Sequence, residues 1–112
     1  MCRKQHGAAF ATYAQVKRAA ITIDDPKAQL RRYASSEKAA RLFCGTCGSS
    51  LFWESNDHPE LLGVAVGALD VPLGVPVLAH IYVGSKADWV TLSDGVPGYE
   101  GDYAGPPVPR DA

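Results

Sequence analysis

Short segments rich in β-branched and aromatic residues alternate with Gly, Pro, Asp and Ser along most of this chain. Such segments, bounded by turn residues, are typical of short β-strands. The pattern predicts strands over residues 9–16, 20–23, 29–33, 41–43, 51–54, 62–69, 79–83 and 89–92. One helical turn is predicted over 36–40, where a serine precedes Glu, Lys and Ala. Neither a βαβ rhythm nor a fixed repeat is present, so we expect a mostly β fold rather than a Rossmann or thioredoxin-like sheet.

The sequence changes character near its C-terminal end. From Asp94 onward Gly and Pro recur every few residues, which is typical of an extended segment rather than of a second domain. The 112 residues, of which 46% are hydrophobic and 21% charged, suffice for one small domain with a thin core and exclude wholesale disorder. We therefore expect one domain over residues 1–93 and a Gly/Pro-rich tail over 94–112.

Charge and hydropathy exclude several classes of partner. Lys and Arg total 11 against 12 for Asp and Glu, so we expect neither a nucleic acid nor an anionic membrane as partner. The longest apolar run, 61–69, has about half the roughly 20 residues that a membrane span needs. No apolar segment follows Met1–His6, so no secretory signal is predicted. Three cysteines are too few for a disulfide scaffold, and we expect a reducing, cytoplasmic location.

A Cys-x-x-Cys pair is the most informative motif of the chain. Cys44 and Cys47 can reach one metal ion, and the glycines at 45 and 48 allow the tight turn that this requires. Because strands are predicted on both sides, the pattern favours a zinc knuckle at a hairpin tip. A redox pair usually opens a helix instead, and the Gly-Ser-Ser that follows Cys47 disfavours one. Two unligated surface thiols, or a dithiol oxidoreductase, are the alternatives.

The motif leaves the zinc site incomplete, since a structural site needs four ligands. Cys2 is the only other cysteine, and the three histidines, His6, His58 and His80, show no pairwise ligand spacing. From the residues alone, one or two ligands are missing.

Several segments together resemble the GFA family, the glutathione-dependent formaldehyde-activating enzyme-like proteins, also called the centromere-protein-V/GFA domain. The resemblance covers residues 2 to about 92 and lies in Met1–Lys4, His6–Phe10, Phe43–Phe52, Gly67–Asp70 and Ala79–Trp89. It implies a Mss4-like fold, a folded-over antiparallel sheet with a zinc-knuckle hairpin.

The chain also departs from the family pattern. Family members carry an upstream Cys-x-Cys that completes a four-sulfur structural zinc site with the knuckle, and a Cys-x-Cys-x-x-Cys that holds a catalytic zinc. The resemblance assigns Cys44 and Cys47 to the structural zinc, and Cys2 matches only the last cysteine of the catalytic motif. We expect a family domain without its first strands, through a start at an internal methionine, or else a shortened, metal-poor homologue.

The resemblance implies a carbon–sulfur lyase that acts on glutathione–aldehyde adducts such as S-hydroxymethylglutathione. Zinc would be the cofactor and glutathione the thiol partner, with Arg3 and Lys86 as cations for its carboxylates. With one of three catalytic thiolates, this chain length is expected to be inactive. The alternative is a non-catalytic zinc-ribbon-like binding module or a degenerate relative. A homodimer that covers an exposed sheet edge is also expected.

Overall fold

The computed structural model describes residues 2–102 and 106–108, apart from the side chain of Cys2. One compact unit comprises residues 11–72, and a second comprises the described residues within 1–10 and 73–112. The larger unit contains the five-stranded sheet and the Cys-x-x-Cys motif, and it is the part of the molecule that positions the candidate site.

The sheet of the larger unit is antiparallel throughout and runs in the order β1-β5-β4-β3-β2. Its strands are β1 (Tyr13–Lys17), β2 (Leu30–Ala34), β3 (Ala39–Cys44), β4 (Ser50–Ser55) and β5 (Leu61–Ala65). β3, β4 and β5 each follow the preceding strand through a hairpin. β1 joins the sheet by pairing with β5. The predicted mostly β, antiparallel fold is therefore confirmed.

The core of the sheet is small and lies along its central strands. Leu42, Phe52 and Val64 stand directly opposite one another in β3, β4 and β5. Leu62 is the largest fully buried side chain of the described residues, at 1% exposure, and Leu42 is 8% exposed. Since only a few large side chains are buried, each contributes a large share of the hydrophobic stabilisation.

The helical turn predicted over residues 36–40 is wrong, because Ser36 closes a hairpin instead of capping a helix. Its hydroxyl accepts hydrogen bonds from the backbone N–H groups of Lys38 and Ala39 at 3.3 and 3.1 Å. The carbonyl of Ala39 in turn accepts from the N–H groups of Ser35 and Ser36. A serine can make such local bonds in a turn as readily as at a helix start, so the sequence signal was ambiguous.

Three predicted strands are also absent from the sheet. Residue 20 ends a 3₁₀ turn (Arg18–Ala20), and residues 21–23 and 89–92 form no strand. Of residues 79–83, only His80 forms an isolated bridge, to Gly98. Tyr82 has a φ of 56°, which ends an extended conformation at that point.

The second unit contains little regular structure. A short helix, α1 (Cys2–His6), was not predicted, and two-residue strands β6 (Gly98–Tyr99) and β7 (Pro107–Val108) pair antiparallel. Within the described parts of the chain, no helix has both the length and the hydropathy that crossing a bilayer demands.

Replacement of Leu62 by alanine should lower the free energy of unfolding by about 2–4 kcal/mol, because the site is closed on all sides and the cavity cannot collapse fully. Urea unfolding followed by tryptophan fluorescence measures this loss. Leu78→Ala, at a position that is 76% exposed, is the matched control and should change stability little. Equal effects of the two substitutions would contradict the assignment of the core.

Candidate metal-binding hairpin

The Cys-x-x-Cys motif forms the tip of the β3–β4 hairpin, which we call the knuckle (residues 44–49). The backbone N–H of Cys44 donates to the carbonyl of Ser49 at 2.9 Å, and the N–H of Gly48 donates to the carbonyl of Cys44 at 2.8 Å. The register shifts just below the knuckle, so that Phe43 pairs with Ser50 and Leu51 is an extra, bulged residue. The predicted hairpin is confirmed, with no helix at Cys47.

The two knuckle glycines are needed for different reasons. Gly48 has a φ of 81°, in the left-handed region that residues with a Cβ adopt at a cost. Gly45 instead lies close to the neighbouring strand, and its N–H donates to the carbonyl of Gln29 at 2.7 Å. A Cβ at position 45 would come within 2.7 Å of Cγ of Arg31 and 3.0 Å of the Gln29 oxygen. Gly45 thus permits the loop to dock against Gln29 and Arg31, and Gly48 permits the turn of the loop.

Gln29 fixes the knuckle from the side. Its side-chain amide donates to the hydroxyl of Thr46 at 2.9 Å, in addition to the backbone bond to Gly45. Asp25 holds this segment in place, since its carboxylate accepts from the N–H groups of Leu30 and Gln29 at 2.9 and 2.8 Å. These bonds, first that from Leu30, lower the pKa of Asp25. The loop is therefore positioned by hydrogen bonds within the protein alone.

The two thiols are free, Cys44 partly buried and Cys47 exposed. The hydroxyl of Ser49 lies 3.0 Å from Sγ of Cys47. Hydrogen bonds from this hydroxyl, from the Ser49 N–H and from the Cys44 thiol lower the pKa of Cys47, against a smaller opposing effect of desolvation. The site thus favours a thiolate at Cys47 without a helix N-terminus, and a thiolate is the form that binds a metal.

The knuckle supplies two of the four donors that a closed zinc site requires. Among residues 2–102 and 106–108, the Cys2 side chain aside, no three His, Cys, Asp or Glu side chains are grouped to hold a metal ion. His58 follows the far end of β4, roughly 20 Å of strand away from the tip, and its Nδ1 lies 3.5 Å from Glu60. The described side chains therefore bring two thiols together and add no third candidate ligand to them.

The other predicted site residues lie in the second unit. Cys2 belongs to α1, and its side chain lies outside the described residues. Arg3 is exposed in the same helix. Nζ of Lys86 donates to the carbonyl of Val90 at 2.8 Å, which holds that ammonium against the backbone. The roles of these three residues toward metal or glutathione stay predictions.

Sequence reasoning missed a hydrogen-bonded pair of His80 and Asp94 in the second unit. Nε2 of His80 lies 2.8 Å from Oδ2 of Asp94, and the His80 side chain is 18% exposed. The N–H of Val96, followed by His80 itself, lowers the pKa of Asp94. The two residues are 14 positions apart, and no spacing rule connects them. Gln29 and Ser49 were missed for a related reason, since neither is a metal-ligating residue type.

Gly48→Ala should destabilise the protein by about 1–2 kcal/mol, because alanine is strained at positive φ. Gly48→Asn should recover part of this loss, since asparagine tolerates that region better. Gly45→Ala should disturb the docking of the loop at Gln29 and Arg31 instead, and asparagine there should not rescue it. Urea unfolding of the four variants, Gly45→Asn included, tests this; equal rescue at both positions would show that both glycines act through backbone conformation.

Cys47 should be alkylated faster than Cys44 at neutral pH. The lowered pKa of Cys47 keeps part of this thiol ionised below about pH 8.5, where a free cysteine titrates. Iodoacetamide labelling across pH, read by peptide mass, measures both thiols at once. Ser49→Ala should move the Cys47 midpoint upward, whereas Thr46→Val, which removes a hydroxyl bonded to Gln29, should leave it in place. Preferential labelling of Cys44 would contradict this arrangement.

Comparison with known proteins gives one informative match. A search of curated proteins finds no significant similarity. The family model described as glutathione-dependent formaldehyde-activating enzyme, GFA, matches residues 1–85, which include the whole sheet and the knuckle. This indicates a glutathione-related, zinc-associated function. The chain is a member of the GFA family.

Proposed function

We propose that this protein binds zinc through Cys44 and Cys47 and takes part in the chemistry of glutathione–aldehyde adducts. The observation that carries the proposal is the knuckle, in which two free thiols share a hairpin tip held by hydrogen bonds to Gln29, the residue before β2. Thiolate is a preferred ligand of zinc, and a preformed pair loses little conformational entropy on binding.

The reaction that we propose for the family chemistry is cleavage or formation of the carbon–sulfur bond of S-hydroxymethylglutathione-type adducts. Arg3 and Lys86 are the proposed cations for the two carboxylates of glutathione, and Cys2 is a proposed ligand of the catalytic zinc. The three cysteines of the chain cannot supply a four-sulfur structural site and a three-sulfur catalytic site together. We therefore propose that these 112 residues alone do not carry the lyase reaction.

A second candidate function is a non-catalytic zinc-binding module. It is favoured by the ligand count, since the described side chains gather two thiols at the knuckle and no third potential ligand with them. An open coordination position beside three protein ligands, as zinc enzymes have, is not formed by that pair. Both candidates share zinc binding at the knuckle and differ in turnover.

The 112-residue chain, stripped of metal and reduced, should bind zinc and should show no lyase activity above the uncatalysed rate of adduct breakdown. Zinc content by mass spectrometry and release of formaldehyde from the glutathione adduct measure the two properties separately. Cys47→Ser should bind zinc at least tenfold more weakly. The substitution removes one metal–ligand bond, and no described neighbour can replace it. Leu78→Ala, which keeps both thiols and lies at an exposed position outside the knuckle, is the control and should still bind.

The outcomes distinguish the candidates. Turnover by this chain that Cys2→Ser abolishes would establish the lyase here and remove the non-catalytic module. A longer form with two further thiolates beside Cys2 should turn over, and should lose turnover on Cys2→Ser. Absence of zinc binding by the reduced chain would refute the shared proposal.

A further inference from the structure

The two knuckle thiols are placed to react with each other. We infer that Cys44 and Cys47 form a site of reversible oxidation, in which Cys47 exchanges with a low-molecular-mass disulfide such as glutathione disulfide and Cys44 then closes an intrachain disulfide. The reaction needs the two thiols alone, so the inference does not rest on the proposed zinc binding. Because no helix begins at Cys47, the pair is a site of modification rather than the catalytic motif of a dithiol oxidoreductase.

The turn of the knuckle brings the two sulfur atoms within reach of each other. Cys44 and Cys47 are the first and fourth residues of a tight turn, which is closed by the 2.8 Å bond from the N–H of Gly48 to the carbonyl of Cys44. The Cα atoms at the two ends of a four-residue turn lie less than about 7 Å apart. A disulfide spans Cα separations of about 4.4–6.8 Å. The Cys44 thiol is also hydrogen-bonded to Cys47, so rotation of the side chains can form the bond.

The backbone of the knuckle is held by bonds that involve neither sulfur. The N–H of Cys44 donates to the carbonyl of Ser49 at 2.9 Å, and the N–H of Gly45 donates to the carbonyl of Gln29 at 2.7 Å. The left-handed conformation of Gly48 completes the same turn. The reduced and oxidised forms can therefore share one backbone. Two thiols fixed side by side in this way react with each other much faster than with a second molecule from solution.

The unequal exposure of the two thiols assigns their roles. Cys47 is exposed, whereas Cys44 is partly buried at the end of β3. The residues around Cys47 are small and exposed, with Gly45, Thr46, Gly48 and Ser49 in the loop. Thiol–disulfide exchange depends on access of the incoming disulfide to the attacking sulfur. The bulky external disulfide therefore meets Cys47 first, and Cys44 acts in the second, intramolecular step.

The two steps balance as a dithiol–disulfide exchange. The Cys47 thiolate attacks one sulfur of glutathione disulfide, whose S–S bond breaks and releases one glutathione thiolate. The Cys44 thiolate then attacks Sγ of Cys47, forms the Cys44–Cys47 bond and releases the second glutathione thiolate. The protein pair loses two electrons, which reduce the glutathione disulfide, and the two thiol protons pass through the solvent to the two released glutathione molecules.

The test is incubation of the reduced, metal-free 112-residue chain with glutathione disulfide, followed by acid quenching and peptide mass mapping. The wild type should form the Cys44–Cys47 disulfide with little accumulated mixed disulfide, and dithiothreitol should reverse the change. Cys44→Ser should stop at a glutathione mixed disulfide on Cys47. Cys47→Ser should form the mixed disulfide on Cys44 about tenfold more slowly, because that sulfur is less accessible. In urea, where the turn is lost, the two variants should react at equal rates.

Three results would overturn the inference. Accumulation of the Cys47 mixed disulfide in the wild type would show that Cys44 does not reach it. Equal rates for the two folded variants, with folding checked by circular dichroism, would contradict the assigned roles. A disulfide from Cys2 to either knuckle cysteine would place the second thiol outside the knuckle. The wild-type result requires no variant to fold, and zinc binding is measured separately on the reduced chain, so the inference and the proposed function can fail independently.

Discussion

The pairing of β3 on both of its sides is the constraint on which the candidate site depends. β3 lies between β2 and β4, and Ala40, Arg41 and Leu42 within it are all buried. Cys44 is the last residue of the same strand, so the first thiol is positioned directly by the most enclosed part of the sheet. The second thiol follows through a loop that is bonded to Cys44, at the end of β3, and to Gln29, just before β2. A site at the surface therefore inherits its rigidity from the interior.

Local signals predicted the part of the fold that local interactions determine. The glycines at 45 and 48, between two hydrophobic segments, indicated a hairpin, and the structure has one with the turn conformation at Gly48. The strands predicted at 29–33, 41–43 and 51–54 differ from β2, β3 and β4 by one or two residues at each end. Ser36 shows the limit, because a hydroxyl bonded to nearby N–H groups occurs in turns and at helix starts alike.

Interactions between distant residues could not be read from spacing. The bond of Gln29 to Thr46 joins residues 17 positions apart, and the hydrogen bond between His80 and Asp94 joins residues 14 apart. The segment 79–83 has the composition of a strand, but the left-handed conformation of Tyr82 interrupts it. The composition of a segment indicates whether its side chains suit a β-strand. Tertiary contacts determine whether a neighbouring strand is present for it to pair with. The hairpin that carries the two cysteines was therefore predictable from the sequence, and the residues that orient the cysteines were not.

The bulge at Leu51 has a consequence for the length of the hairpin. Leu42 faces Phe52 in the core, but the next pair toward the tip is Phe43 with Ser50. The alternation of side chains between the two faces of the sheet is therefore shifted by one residue between the packed part of the hairpin and its tip. A chain shorter by one residue here would restore regular alternation and turn everything beyond it to the opposite face of the sheet. In the β3–β4 hairpin, the number of residues is therefore constrained as strongly as their identity.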